Sequence, residues 1–248
     1  MTRERVLILG ATSAIAAEIG QIYAARGAEL HLVGRNPEKL AQVRARLSVS
    51  DASFEIADFS QLERNQGVID RAIAALSGID SVVIAHGDLG DQLKSERSFD
   101  EAEHILRTNF ISVVSLLIPL ANHLESARAG RLGVITSVAG DRGRPRNYTY
   151  GAAKGALNIY LQGLRSRLYP AGVHVTTLKL GPVDTPMTTT HKKHALFGKP
   201  ASVAAQCVAA LDAGKAEAYV PPFWAAIMPV VKNTPEQLFQ AIPILSRR

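Results

Sequence analysis

A single cysteine, Cys207, stands among 248 residues. No internal disulfide can staple the chain, and the setting VAAQCVAAL marks Cys207 as a small buried apolar residue suited to a reducing compartment. Aromatics are scarce, and charged residues make up 20 % of the chain against 47 % hydrophobic. That balance excludes general disorder and leaves enough aliphatic material for a large core. A net charge of +6 comes without a long basic run. With no basic helix or aromatic-interleaved stripe, no nucleic-acid partner is expected. The excess reads first as scattered surface Lys and Arg, and second as attraction to an anionic substrate or membrane surface. No uninterrupted apolar run approaches the roughly 20 residues of a membrane span. The start, MTRERVLILGATSAIA, breaks at Gly10 and soon meets Glu18, so it reads as a strand and turn instead of a signal peptide. The expected location is the cytoplasm, with peripheral contact at the inner face of the membrane as a further expectation. No metal site is expected.

What is present is rhythm. RVLILG, AELHLVG, ASFEIAD, DSVVIAHG, GRLGVITS, VHVTTLKLG and EAYVPP are strand candidates, separated by segments of helical period. Continuous apolar strands between helices predict one α/β domain over residues 1–220, a doubly wound parallel sheet of about seven strands with helices on both faces. Asn36 before Pro37 signals a helix start, and Ser60 with Glu63 and Ser98 with Glu101 have capping-box spacing. The stretch 184–200 is polar, basic and long for a connection, which predicts a substrate loop or lid. Residues 221–248 form an apolar extension punctuated by proline, with a second short helix expected after Thr234 and Pro235.

Glycine is sparse where it matters. The segment LILGATSAIAAEIG reads as strand, turn and helix, the arrangement that seats a pyrophosphate on a helix N-terminus. Gly10 is its only glycine before the helix, with Ala14 and Ala16 at later small positions and with Thr12 and Ser13 offering hydroxyls and N–H groups. The second strand ends in Gly34-Arg35, without the acid that usually bonds a ribose hydroxyl; Arg35 suits a 2′-phosphate or is a solvated loop residue.

Tyr150 and Lys154 lie four apart and share a helix face, whereas Tyr148 has Ala152 at that spacing. A neighbouring ammonium is expected to lower the phenol pKa towards useful acid–base work. Tyr148 becomes a cleft-wall candidate. The small residues Gly151, Ala152, Ala153 and Gly155 allow close packing. Ser137 ends a strand thirteen residues before Tyr150, at the edge where parallel sheets bind ligands. Asn109 is a polar residue in an apolar helix, a ligand or merely a bonded core amide.

In order, GATSAIA, ADF, VVIAHG, TNF, VITSVAG, YGAAK and LGPVDTPM resemble the short-chain dehydrogenase/reductase (SDR) family over residues 4–220. The resemblance implies a single Rossmann-fold domain and an oxidoreductase using NADP(H), with NAD(H) as the alternative. It implies catalytic roles for Asn109, Ser137, Tyr150 and Lys154. It implies a cofactor site of Gly10, Thr12, Ser13, Ala14, Ile15, Arg35, Asp58, Phe59, Ala85, His86, Gly87, Tyr150, Lys154, Gly181, Val183 and Thr185. A homodimer or homotetramer through the helices bearing Asn109 and Tyr150 is also implied. Leu9, Ala14 and Ala16 depart from the usual Thr, Gly and Gly; Ala85 and His86 replace Asn and Ala; Leu180 replaces Pro. His86 is read as a packing variant before a catalyst.

A looser resemblance, carried by AHGDLGDQ, SVAGDRGRPRNYTYGAAKGAL and the tail, is to reductases of decaprenylphosphoryl-2-ketopentose type, which implies a lipid-linked carbonyl substrate. Arg142, Arg144, Arg146, His191, Lys192, Lys193 and His194 could serve it or be solvated surface. Phe223, Trp224, Met228, Val231, Leu238, Phe239 and Ile242 could meet a membrane, cover the cleft or pack on a subunit. The alternatives are a small ketone, steroid or 3-oxoacyl reductase and, in another class, a non-catalytic nucleotide-binding module.

Overall fold

Each predicted apolar run is a strand. In the computed structural model, which describes residues 3–47, 52–189 and 196–243, these are β1 (Arg5–Leu9), β2 (Glu29–Gly34), β3 (Ala52–Ile56), β4 (Ser81–Ile84), β5 (Arg131–Ser137), β6 (His174–Leu180) and β7 (Glu217–Val220). All pair in parallel, in the order β3-β2-β1-β4-β5-β6-β7. The helices are α1 (Ala14–Ala25), α2 (Pro37–Arg46), α3 (Asn65–Leu76), α4 (Gln92–Ser95), α5 (Phe99–Leu106), α6 (Ser112–Ala127), α7 (Tyr148–Leu168), α8 (Pro200–Asp212), α9 (Trp224–Asn233) and α10 (Glu236–Ala241).

Side chains alternate across the sheet, so β1 feeds two cores. Leu7 and Leu9 pack with Leu116, Leu120, Leu157 and Leu161 of α6 and α7. Val6 and Ile8 face the other way, towards Ile19, Leu40, Val203 and Cys207 of α1, α2 and α8. This is the doubly wound single-domain sheet that the sequence predicts. Its direction of winding reverses between β1 and β4, which opens a crevice at their carboxyl ends. Cys207 is buried, and burial pushes its thiol up to about 12.

Local signals fare unevenly. Asn36 caps α2, accepting from Lys39 N at 2.7 Å with Pro37 next. Neither capping box forms. Ser60 precedes a short 3-10 turn, Leu62–Arg64. Ser98 makes no cap bond, and Glu101 binds Lys94 Nζ at 3.0 Å and accepts from Asp91 N at 3.0 Å. Thr234 closes α9 by bonding Val230 O at 2.6 Å, and the expected second tail helix, α10, follows Pro235. The run Phe99–Ala127, joining α5 and α6 through a π turn at Arg107–Ile111, is long and apolar enough to cross a membrane by length and composition. This corrects the expectation from uninterrupted runs: small polar residues such as Thr108, Asn109 and Ser112 break the run without lowering the mean hydropathy much. Half of its most apolar window is buried inside the protein.

The tail divides its apolar residues. Trp224, Met228, Val231 and Phe239 form a buried cluster with Val138, just beyond β5. Phe223, Val230 and Leu238 remain exposed. Arg142 ties the cluster down. Its Nη1 donates to Val231 O, Lys232 O and Thr234 O, its Nη2 pairs with Glu236 at 2.6 Å, and its guanidinium lies 4.1 Å from the Phe239 ring centre. After β6, Val183 bridges Gly198, with Asp184 N donating to Gly198 O and Gly198 N to Pro182 O, both at 2.9 Å.

Candidate active site

The crevice is a cleft of about 1170 Å³ at the carboxyl end of the sheet, ample for a dinucleotide and a substrate together. Its first wall is the turn between β1 and α1. Gly10 has φ +80°, and a Cβ there would lie 2.6 Å from His86 N, so this position needs glycine on both counts. Ser13 caps α1 by accepting from Ala16 N at 3.1 Å. The N–H groups of Ala14 and Ile15 open the helix, lack intrahelical acceptors by position and border the cleft. Neither Ala14 nor Ala16 has a positive φ, so alanine in place of the usual glycine costs no backbone strain. Arg35 and Lys39 line the cleft beyond β2, as does Asp58. The Asp58 carboxyl is held below its ordinary range mainly by the Ser60 N–H, opposed by burial and helped by the Ser60 side chain and the Arg35 charge. Lys39 escaped the sequence reading, because one lysine in an exposed helix turn carries no signal.

The floor is β4 running into Ala85, His86 and Gly87. His86 rests on Phe59, ring centres 4.8 Å apart, and its Nε2 lies 2.9 Å from Ser112 Oγ. Desolvation, aided by Lys154 and Arg35, pushes His86 down to about 3, so it is neutral at physiological pH. Gly87 gives room: a Cβ there would meet Asn109 Oδ1 at 2.8 Å and Lys154 Nζ at 3.3 Å.

Asn109 is the one predicted catalytic residue that does not line the cleft. It lies fully buried in the π turn, one layer behind. Its Nδ2 donates to Asp88 O at 2.6 Å and Ile105 O at 2.9 Å, and its Oδ1 accepts from Asp88 N at 3.1 Å. The side chain thus fixes the strand extension that carries Gly87 and Asp88.

Ser137, Tyr150 and Lys154 share the opposite wall. Ser137 ends β5, its Oγ accepting from Ala139 N at 3.1 Å and donating to Leu180 O at 3.3 Å. The small residues of α7 let it press on the following turn. A Cβ on Gly140 would lie 2.7 Å from Gly155 N, and one on Gly151 would lie 2.7 Å from Ala139 O. The helix start is held by Gln92, which accepts from Thr149 N at 3.0 Å, and by Ser95 at 3.0 Å from Thr149 Oγ1.

Tyr150 does not have the lowered pKa that its spacing to Lys154 predicts. Desolvation pushes it up to about 12; the Ser137 hydrogen bond pulls it down and the Asp88 charge pushes it up. Lys154 Nζ lies 5.7 Å from the Tyr150 ring centre and donates to Ile135 O at 3.3 Å. Burial lowers Lys154 itself to about 8. Tyr148 is 44 % exposed and does not line the cleft, which corrects its assignment to the wall.

Gly181, Val183 and Thr185 complete the rim after β6, with Trp224 of the tail packed directly on Gly181. Arg144 and Arg146 also line the cleft, whereas Arg142 is turned to the tail. His191, Lys192, Lys193 and His194 lie outside the described residues. Beneath this rim is a buried network absent from the sequence reading. Lys179 Nζ binds Asp141 and Glu217, each at 3.0 Å, and Tyr219 Oη donates to Asp141 Oδ2 at 2.6 Å.

Comparison with known proteins identifies the family. The sequence model described as short chain dehydrogenase matches residues 4–195. An uncharacterized oxidoreductase of Mycobacterium tuberculosis is 34 % identical over 223 residues, covering 89 % of this chain and 88 % of the relative. Another, from Streptomyces coelicolor, is 31 % identical over 242 residues and covers 96 % of each. Among solved structures, a short chain dehydrogenase from Burkholderia cenocepacia in complex with NADP has the same fold, with a TM-score of 0.83 at 19 % identity over 96 % of both chains. The chain belongs to the short-chain dehydrogenase family, and it is an oxidoreductase.

Proposed function

We propose that the protein interconverts a carbonyl and a secondary alcohol with NADP(H). The observation that carries this reading is the meeting of the Ser137 and Tyr150 side chains, with Lys154, on one wall of a cleft whose other wall is the tight Gly10 turn. The fit to a dinucleotide rests on that turn, where only glycine is accommodated and where the first N–H groups of α1 border the cleft. Thr12, Ser13, Ala14 and Ile15 would hold the pyrophosphate, and Asp58 with Phe59 the adenine side. Ala85, His86, Gly87, Gly181, Val183 and Thr185 would border the nicotinamide. Arg35, with Lys39 beside it and no acid at the end of β2, supports preference for a 2′-phosphate.

Bound nicotinamide supplies the hydride or accepts it. Ser137 and Tyr150 hold the carbonyl oxygen by hydrogen bonds. At neutral pH the Tyr150 phenol is protonated, so its Oη gives a proton to the oxygen as charge develops there. The Lys154 cation stabilises the tyrosinate left behind. Asn109 acts from behind the cleft wall by fixing Asp88 and Gly87, and the family resemblance adds to this proposal a proton relay that Asn109 completes through water. The exposed Ile118 and Ile159, on α6 and α7, favour assembly through those helices.

The non-catalytic reading rests on the altered glycines and on Ala85-His86; the absence of positive φ at Ala14 and Ala16 weakens the first of these, and Ser137, Tyr150 and Lys154 together in the cleft count against it. The test is Tyr150→Phe. Turnover of NADPH against a carbonyl panel should fall by on the order of 10²–10⁴-fold, with nucleotide affinity unchanged; wild-type turnover in the variant would defeat the assignment. The panel should hold small ketones, steroids, 3-oxoacyl thioesters and a polyprenyl-phosphosugar.

A further inference from the structure

Among the described residues, Arg144 is a cation paired with no anion. It sits on the loop between Ser137 and Tyr150 and lines the cleft on the side of the tail. Among the described residues its Nη2 meets the Met228 thioether alone, at 3.8 Å, and its Nε is buried with no acceptor. Arg142, two residues earlier, has three carbonyls, a carboxylate and an aromatic face. Asp141, the acid that acts on Arg144, already has one oxygen on Lys179 and the other on Tyr219. Burial and the Arg146 charge press the Arg144 pKa down, with Asp141 opposing them.

Desolvating a guanidinium without a partner is costly, and the cost falls when an oxyanion arrives to take its forked donors. The same wall holds a second buried donor without an acceptor among the described residues, the indole N–H of Trp224, one helical turn before Met228. We infer that Arg144 anchors an oxyanion, a carboxylate or a phosphate ester, that the substrate carries away from its reacting carbon. Placing the anion on the substrate rests on the carbonyl reading above; the anion site itself can be measured without turnover.

Trp224 is the only tryptophan in the chain, so its fluorescence reports this wall alone. The full-length protein, saturated with NADP+, is titrated with sodium phosphate and with sodium acetate at constant ionic strength, against sodium chloride. A saturable change with phosphate or acetate, beyond chloride, is expected, and the stronger anion identifies the class. Arg144→Gln should weaken it at least tenfold. No response beyond chloride in the wild type, or the same midpoint in the variant, overturns the inference. If Arg144→Gln fails to fold by circular dichroism, Arg144→Lys decides: a point charge without the fork should shift the midpoint several-fold, and an unchanged midpoint overturns the anchor. With an active carbonyl, Arg144→Lys should raise KM for a keto acid but not for its methyl ester. Retained turnover in Tyr150→Phe would remove the catalytic reading and leave the titration standing, and the reverse holds for a failed titration.

Discussion

Burial acts on Tyr150 and Lys154 in opposite directions, keeping the phenol protonated to about 12 and bringing the ammonium down to about 8. The pair therefore responds to pH through the lysine. Lys154 is charged below about pH 8 and neutral above it, so the cation that steadies a developing tyrosinate is lost as pH rises. Reductive turnover should fall through an apparent pKa near 8. Arg at this position stays charged, so Lys154→Arg should move the step out of the accessible range. Initial rates of NADPH oxidation from pH about 6 to about 10 test both statements. The tyrosine that the sequence singles out, by its spacing to Lys154 and by Ser137 upstream, is the one that lines the cleft, and Tyr148 does not. The sequence misjudges the sign of the shift on Tyr150, because spacing reports the neighbour and is blind to the water that folding removes.

At the scale of elements, α7 is positioned by contacts that tolerate no methyl group. Gly140→Ala would drive a Cβ to 2.7 Å from Gly155 N. Overpacking of this kind costs about 1–3 kcal/mol, and here it also tilts the helix bearing Tyr150. Lower Tm and lower kcat together, with nucleotide affinity kept, are expected from thermal melts and steady-state rates. The loop below is held by Lys179, 4 % exposed, and Asp141, 3 % exposed. Removing one partner strands a buried charge, so Lys179→Met should cost roughly 3–5 kcal/mol in denaturant melts. Nothing in VHVTTLKLG announces this network: Lys179 reads as an interruption, and Asp141, Glu217 and Tyr219 are far away in the chain. The strands themselves were legible because a sheet covered on both faces writes continuous apolar runs. The Ser98–Glu101 box misleads because Glu101 has a better partner in Lys94, which spacing along one helix start does not disclose.

For the whole molecule, the cleft joins both halves of the sheet, so a ligand filling it should stabilise the fold as a unit. At ~100 times its Kd, NADPH should add about 2.7 kcal/mol and raise Tm by roughly 5–11 °C. NADH should give less, and Arg35→Ala should bring the NADPH shift down to the NADH value while leaving the latter in place. Differential scanning fluorimetry decides this; equal shifts in the wild type would remove the 2′-phosphate role. The family and the nucleotide-type turn were readable from motifs. The arrangement of the substrate side was not, since Trp224, Arg144 and Met228 meet only after the tail folds back over the loop following β5.

The bridge between Val183 and Gly198 has a bearing on how such a protein changes over generations. Two backbone hydrogen bonds at 2.9 Å clasp the neck of the intervening segment. The closure entropy of a loop grows only slowly with its length, and with the neck clasped, insertions or deletions inside it are not transmitted to β6 or α8. Pro186, Met187 and Phe197 of that segment border the cleft. Selection can therefore rewrite one border of the cleft as an exchangeable cassette, while the wall of Ser137 and Tyr150 and the Gly10 turn keep the same frame.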